Sequence, residues 1–354
     1  MPVGHLLSTP TNGDHRFRQR LHISSYDLDL ALDDYLASEI VLDCGDGLFS
    51  RREAMRRLML LGLSGPTAAA LLAACGSDSD TAEPTAAPTI APSTTAAPSP
   101  TEATSAPAAI ATGSSPAASS VPGSTAASST DEIRFAGPLG DLIGVLATAA
   151  SPKGGVLMIH ENRGLTPHIR SIPARLAADG YTALAIDLLS EEGGTATMAS
   201  DGDATAALSK APAERTIADL RAGLDELARR APGAQLAVIG FCFGGGMTWQ
   251  LLAAGETRLA AAVPFYGPAP AAPDFTGSPN AAVLGIYAEL DSRVNASRDT
   301  ATSALAAAGL VYEIKVFPGV DHAFFNDTGA RYNAEQAAAA YQSMIDWFGQ
   351  HLAS

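Results

Sequence analysis

Leu236-Ala237-Val238-Ile239-Gly240-Phe241-Cys242-Phe243-Gly244-Gly245-Gly246 is the stretch on which the fold turns. Leu236 to Ile239 is a short apolar run of the kind buried on both faces of a sheet. A helical pattern takes over from Gly244 to Ala254. Between the two lies Gly-x-Cys-x-Gly, the spacing of a nucleophile elbow with cysteine in the place of serine. Glycines suit a turn so tight that the helix packs directly on the strand, and Cys242 then stands at a helix N-terminus, where the dipole favours a thiolate. A phosphate-binding loop would also be glycine-rich, but no Lys-Ser/Thr follows these glycines.

On either side, apolar runs alternate with amphipathic stretches. Val156–Ile159, Thr182–Ile186, Ala260–Val263, Ala282–Tyr287 and Tyr312–Val316 read as further strands. Pro167–Asp179, Pro212–Arg230, Ser297–Ala308 and Ala334–His351 read as helices. Strict alternation predicts a mostly parallel, doubly wound sheet with helices on both faces, and residues 132–148 should add one or two antiparallel strands at its edge. Chemistry in such a sheet gathers in the loops at the carboxyl ends of the strands.

A thiol nucleophile needs a base. The domain offers His160, His168, His322 and His351, of which His322 follows the last strand. Asp291, after the preceding strand, can accept from the other imidazole nitrogen; Asp321 is its rival but is adjacent to His322. The order Cys242, Asp291, His322 is that of the α/β-hydrolase fold.

These residues resemble the dienelactone hydrolase (carboxymethylenebutenolidase) family. The likeness is carried by Ile159-His160-Glu161-Asn162-Arg163-Gly164-Leu165, the Cys242 elbow, Asp291 and His322-Ala323-Phe324, within about residues 132–350. It implies that Glu161 holds the resting thiol and is displaced by substrate. The oxyanion hole would comprise the backbone N–H groups of Phe243 and Asn162, and Arg163, Tyr266, Tyr287 and Phe324 are the candidate substrate contacts. Members of the family that take a carboxylated lactone hold it with two arginines; the matching positions here are Glu191 and Asn326, so neutral substrates are expected.

The N-terminal third reads as an address. Residues 50–75 run from the basic cluster Arg51-Arg52 and Arg56-Arg57 through an apolar run to Leu72-Ala73-Ala74-Cys75, the layout of a signal peptide ending in a lipobox, with Cys75 as the lipidated residue. The arginine pairs also suit twin-arginine export, without the phenylalanine usual after them. Residues 1–49 would be a cytoplasmic N-terminal extension carrying an acidic amphipathic stretch around Tyr26–Leu42. Residues 76–130, almost wholly Ala, Ser, Thr, Pro and Gly, lack the apolar content to offset ordering entropy and read as a disordered linker. Residues 131–354 are the catalytic domain.

Twenty-two basic against 37 acidic residues give a formal charge of −15, which argues against nucleic acid as a partner. Three cysteines, far apart, suit neither a disulfide framework nor a zinc cage. The sequence therefore predicts an exported, membrane-anchored lipoprotein facing the periplasm or cell exterior. It would be a monomeric cysteine hydrolase of small-molecule esters or lactones, working through a thioester and needing no metal or organic cofactor. A thiol redox or peroxide-sensing protein, or a non-catalytic binding lipoprotein on the same fold, are the alternatives.

Overall fold

The computed structural model describes residues 35–41, 43–45, 49–74 and 129–352. The expected lipidation site Cys75 and most of the expected extension and linker lie outside the described residues.

Eight strands form one sheet in the order β1-β2-β4-β3-β5-β6-β7-β8. They are β1 (Asp131–Ala136), β2 (Asp141–Ala147), β3 (Gly154–Ile159), β4 (Tyr181–Asp187), β5 (Leu236–Phe241), β6 (Leu259–Phe265), β7 (Ala282–Ala288) and β8 (Tyr312–Phe317). The hairpin β1–β2 joins antiparallel to β4, and every pairing from β4 through β8 is parallel. The edge hairpin and the parallel body agree with the pattern read from the sequence. All of β3, β4, β5 and β7 is buried, which is why these strands are continuous apolar runs without alternation.

Four long helices cover the sheet, the first of them Pro167–Ala178, which packs on β4 and β2. Ala213–Arg230 presents Ile217, Leu220, Leu224 and Leu227 inward at three- and four-residue steps. Phe243–Ala253 is buried along most of its length. Ala334–His351 starts at an Asn333 cap that accepts from the Gln336 N–H and buries Tyr341, Met344, Trp347 and Phe348. The sequence reading did not include a helix at Asp201–Lys210, beside the site.

Residues 51–74 fold onto this body. Arg51–Leu60, capped by Ser50, and Gly65–Leu71, capped by Ser64, are two short helices joined through Gly62, whose φ of 88° suits only glycine. Ala54, Leu58, Leu61, Ala68 and Leu72 are buried in the same core as the sheet, and Arg56 reaches Asp203 at 3.5 Å. Among the described residues no helix is long and apolar enough to cross a membrane.

Candidate active site

Cys242 sits between β5 and helix Phe243–Ala253 with φ 57° and ψ −115°, a conformation that costs an L-residue about 1–3 kcal/mol. The turn is closed around it. A Cβ on Gly240 would lie 2.0 Å from the Gly244 carbonyl oxygen, and one on Gly244 would lie 2.4 Å from that of Ile159. Neither position can hold a side chain without moving backbone. The Cys242 N–H donates to the Phe265 carbonyl at 3.1 Å, tying the elbow to the neighbouring strand. Phe243 is the first residue of the helix, so its N–H lies outside the intrahelical ladder, as an oxyanion donor requires.

Asp291 and His322 come from the loops after β7 and β8. Their side chains meet at 2.6 Å between His322 Nδ1 and Asp291 Oδ2, and both are buried. The Val294 N–H donates to Asp291 Oδ1 at 3.1 Å and fixes the carboxylate. Asp321 instead accepts from the His322 backbone N–H at 2.7 Å. The geometry thus pairs the ring with Asp291 and gives its rival a loop-holding contact. With Nδ1 on Asp291, Nε2 is the nitrogen left for the sulfur. Burial alone would lower the pKa of the His322 imidazole, but the Cys242 sulfur and the Asp291 carboxylate outweigh it and push it up to about 9. Tyr266 packs edge-on to His322 with ring centres 5.1 Å apart. Cys242, Tyr266 and Ala323 are the non-glycine residues of left-handed backbone among those described, and all three border this site.

Two of the other three candidate histidines have structural partners. His160, its pKa lowered by burial, accepts from the Leu188 N–H and lies 2.6 Å from the Glu161 carbonyl, joining β3 to the end of β4. His168 is held by Asp327 at 2.6 Å.

The sulfur's neighbours were not anticipated. Tyr35 Oη lies 3.2 Å from Cys242 Sγ, and Glu39 Oε2 lies 3.9 Å from Sγ and 3.4 Å from His322 Nε2. Burial and the facing Cys242 sulfur push the Tyr35 hydroxyl pKa well above its ordinary value. The Arg293 guanidinium pairs with Glu39 Oε1 and lies over the Tyr35 ring, 4.3 Å from its centre. One turn on, Asp43 is held by Arg331 at 2.9 Å and Arg163 at 3.4 Å. The sequence carried an amphipathic acidic pattern here, but nothing local in it said where the helix docks.

Glu161 is buried in the wall of the same cavity, where its Oε2 accepts from Asn326 Nδ2 at 2.7 Å. The hydrogen bonds of the sulfur run to Tyr35 and Glu39 rather than to Glu161. Asn162 also lines the cavity, and its carbonyl accepts from Thr205 at 3.0 Å. Arg163 is at the mouth, between Asp43 and Asp201. Tyr287 and Phe324 are fully buried and, like Tyr266, stand outside the lining of this cavity of about 230 Å³. Phe324 packs on Phe317 in the core, whereas Tyr266 meets the site through the His322 ring.

Glu191 stands outside the lining of this cavity and pairs with Arg215 at 3.1 Å. A carboxylate oxygen of Glu39, the Cys242 sulfur and a His322 nitrogen fall within 4.8 Å of one another, a metal-like spacing that the fold creates by adding residue 39 to the domain. Arg293 already stands as the cation against Glu39 and would repel a second one, so the group reads as an ion-paired cluster.

This constellation meets the comparison with known proteins at residues 142–352, which match the model of the dienelactone hydrolase family. The chain belongs to the dienelactone hydrolase family. A carboxymethylenebutenolidase-type protein of Escherichia coli O157:H7 is 36% identical over 208 residues, covering 55% of this chain and 76% of that protein. One from Saccharolobus solfataricus is 30% identical over 233 residues, covering 56% and 89%. A dienelactone hydrolase-type structure from Klebsiella pneumoniae superposes with a TM-score of 0.55 at 31% identity, covering 62% of this chain and 98% of that one. As a dienelactone hydrolase relative, the protein is a carboxylic ester hydrolase on an α/β-hydrolase fold, and the family's substrates are small esters and lactones.

Proposed function

We propose that this hydrolase cleaves its ester or lactone through Cys242, His322 and Asp291 by way of a thioester. The observation that carries the reading is the 2.6 Å pairing of His322 with Asp291 beside the strained elbow that presents Cys242. The sulfur gives its proton to His322 Nε2 and attacks the carbonyl carbon. Negative charge moves to the carbonyl oxygen, which the N–H groups of Phe243 and Asn162 receive. The C–O bond then breaks, and the imidazolium returns its proton to the leaving oxygen. Water, deprotonated by Nε2, attacks the thioester carbon; the C–S bond breaks, the acid departs and the sulfur is restored. Asp291 holds Nδ1 protonated throughout, so that Nε2 can accept. Glu161, beside the cavity and tethered to Asn326, is the group we assign to holding the free thiol once the sulfur's present partners have gone.

The same proposal places the protein outside the cytoplasm, anchored by diacylglycerol on Cys75 after cleavage behind Ala74. The order of basic cluster, apolar run and lipobox supports it.

A panel of chromogenic esters and lactones, assayed with and without prior alkylation of the thiol, tests the chemistry. Turnover that disappears on alkylation of Cys242 is expected; turnover that survives complete alkylation would remove the cysteine mechanism. For the anchor, the mature N-terminus is read by mass after membrane fractionation. Retention of residues 55–74 without a diacylglycerol group would end the lipoprotein reading.

A further inference from the structure

The groove that an acyl substrate must enter already has an occupant. We infer that residues 35–41 and 43–45 are an intramolecular plug, a substrate-like segment that closes this active site and is discarded when the chain is cut ahead of Cys75. The inference rests on the reading of Cys242 and His322 as the reacting pair and, for the release, on the proposed cleavage behind Ala74.

Three independent features support it. The first is position: the Glu39 carboxylate stands 3.4 Å from His322 Nε2 and 3.9 Å from Cys242 Sγ, where an ester group has to sit for its carbonyl carbon to be attacked and its leaving oxygen protonated. With the segment in place, Cys242 is only 3% exposed. A carboxylate there is a stable mimic, since its carbon is a poor electrophile and has no alkoxide to expel. The second is charge. Tyr35, Glu39 and Asp43 recur every four residues, on one face of a helix, and its two acids meet Arg293, Arg163 and Arg331 on the catalytic domain. The third is depth. Leu36, Ala37 and Ile40 are buried as well, so the helix is sunk into the domain and not resting on it.

Covalent order supplies the release. Residues 35–45 precede Arg51–Leu60, which itself packs on the domain, and both lie ahead of the Ala74–Cys75 bond. Cleavage there removes the tether that gives the occupant its high effective concentration, so that once the domain has been exported and cut the segment does not return. The enzyme would thus be closed as synthesised and open once processed.

The test uses the full, uncut chain and two variants, Glu39→Ala, which removes the carboxylate, and Leu36→Asp, which puts a charge into the buried face and expels the helix. Two rates are read on each. One is alkylation of Cys242 by iodoacetamide, followed on its own peptide so that Cys44 and Cys75 do not contribute; the other is turnover of p-nitrophenyl acetate. Both rates should rise by about tenfold or more in at least one variant, the change expected on opening a site closed roughly nine-tenths of the time. Alkylation and turnover that both stay within about twofold of the parent chain in both variants would overturn the plug. Faster alkylation without faster turnover would uphold the plug and refute the hydrolase assignment of Cys242, so the two readings fail separately.

Discussion

Asp291→Asn changes one oxygen and should disable the base. Asp291 Oδ1 accepts from the Val294 N–H at 3.1 Å while Oδ2 faces His322 Nδ1 at 2.6 Å. An asparagine in this place keeps its carbonyl oxygen on Val294 and turns its NH2 toward Nδ1. That nitrogen must then accept, the ring proton moves to Nε2, and the tautomer offered to the sulfur is the wrong one. The electrostatic part can be sized from the imidazole, which stands at about 9 against an ordinary 6.5. The Cys242 sulfur is the larger cause of that gap and Asp291 the second, so asparagine at 291 removes part of it, and the tautomer penalty carries the loss in rate to as much as about ten-thousandfold. The assay is kcat/KM for a chromogenic ester from about pH 5 to about pH 10, in the full chain carrying Glu39→Ala so that residue 39 does not obscure the site. Since the reactive pair needs protonated His322, the alkaline limb should also move from near 9 toward neutrality. A loss under about tenfold with an unmoved alkaline limb would refute the reasoning.

The same imidazole links stability to pH. A pKa raised in the folded state stabilises fully below about 6.5, and that contribution is lost as pH rises through about 9, so the full chain should melt at lower temperature near pH 10 than near pH 6, with a smaller difference in Asp291→Asn. Scanning calorimetry at the two pH values checks this. Gly240→Ala should cost more than about 3 kcal/mol or give no soluble protein, because its Cβ meets the Gly244 carbonyl oxygen at 2.0 Å, whereas Gly246→Ala, with 3.6 Å to its nearest neighbour, should change the melting temperature little. In the Glu39→Ala chain, Arg293→Ala should lower kcat/KM about tenfold or more for an ester bearing a carboxylate on its acyl side and much less for its neutral analogue, since Arg293 now pairs with the carboxylate beside the sulfur. Equal losses for the two esters would show that Arg293 does not read substrate charge.

What could be read from the sequence was what physics writes locally. Val156–Ile159 and Leu236–Ile239 are uninterrupted apolar runs because the strands are covered on both faces, and the glycines at 240 and 244 follow from the closeness of strand and helix. Chain order then placed Cys242, Asp291 and His322 at the same end of the sheet. Contacts across long sequence separations were not legible. Nothing around Glu39 names Arg293 as its partner, and Arg331 lies on a loop with no pattern of its own. Tyr287 and Phe324 were candidate pocket residues, yet an aromatic near a strand end reads alike whether it turns to the core or to the substrate, and here both turn to the core. Asn326, taken as a missing cation, proved to be the tether of Glu161.

The most direct test of the central claim is to trap the acyl-enzyme. The full chain carrying Glu39→Ala is mixed with an ester of a slowly hydrolysed acyl group, quenched in acid within the first turnover, digested and weighed. The account predicts the acyl mass on the peptide containing Cys242, lost on treatment with hydroxylamine and absent from Cys242→Ala. An acyl group on any other side chain, or turnover that persists in Cys242→Ala, would contradict it.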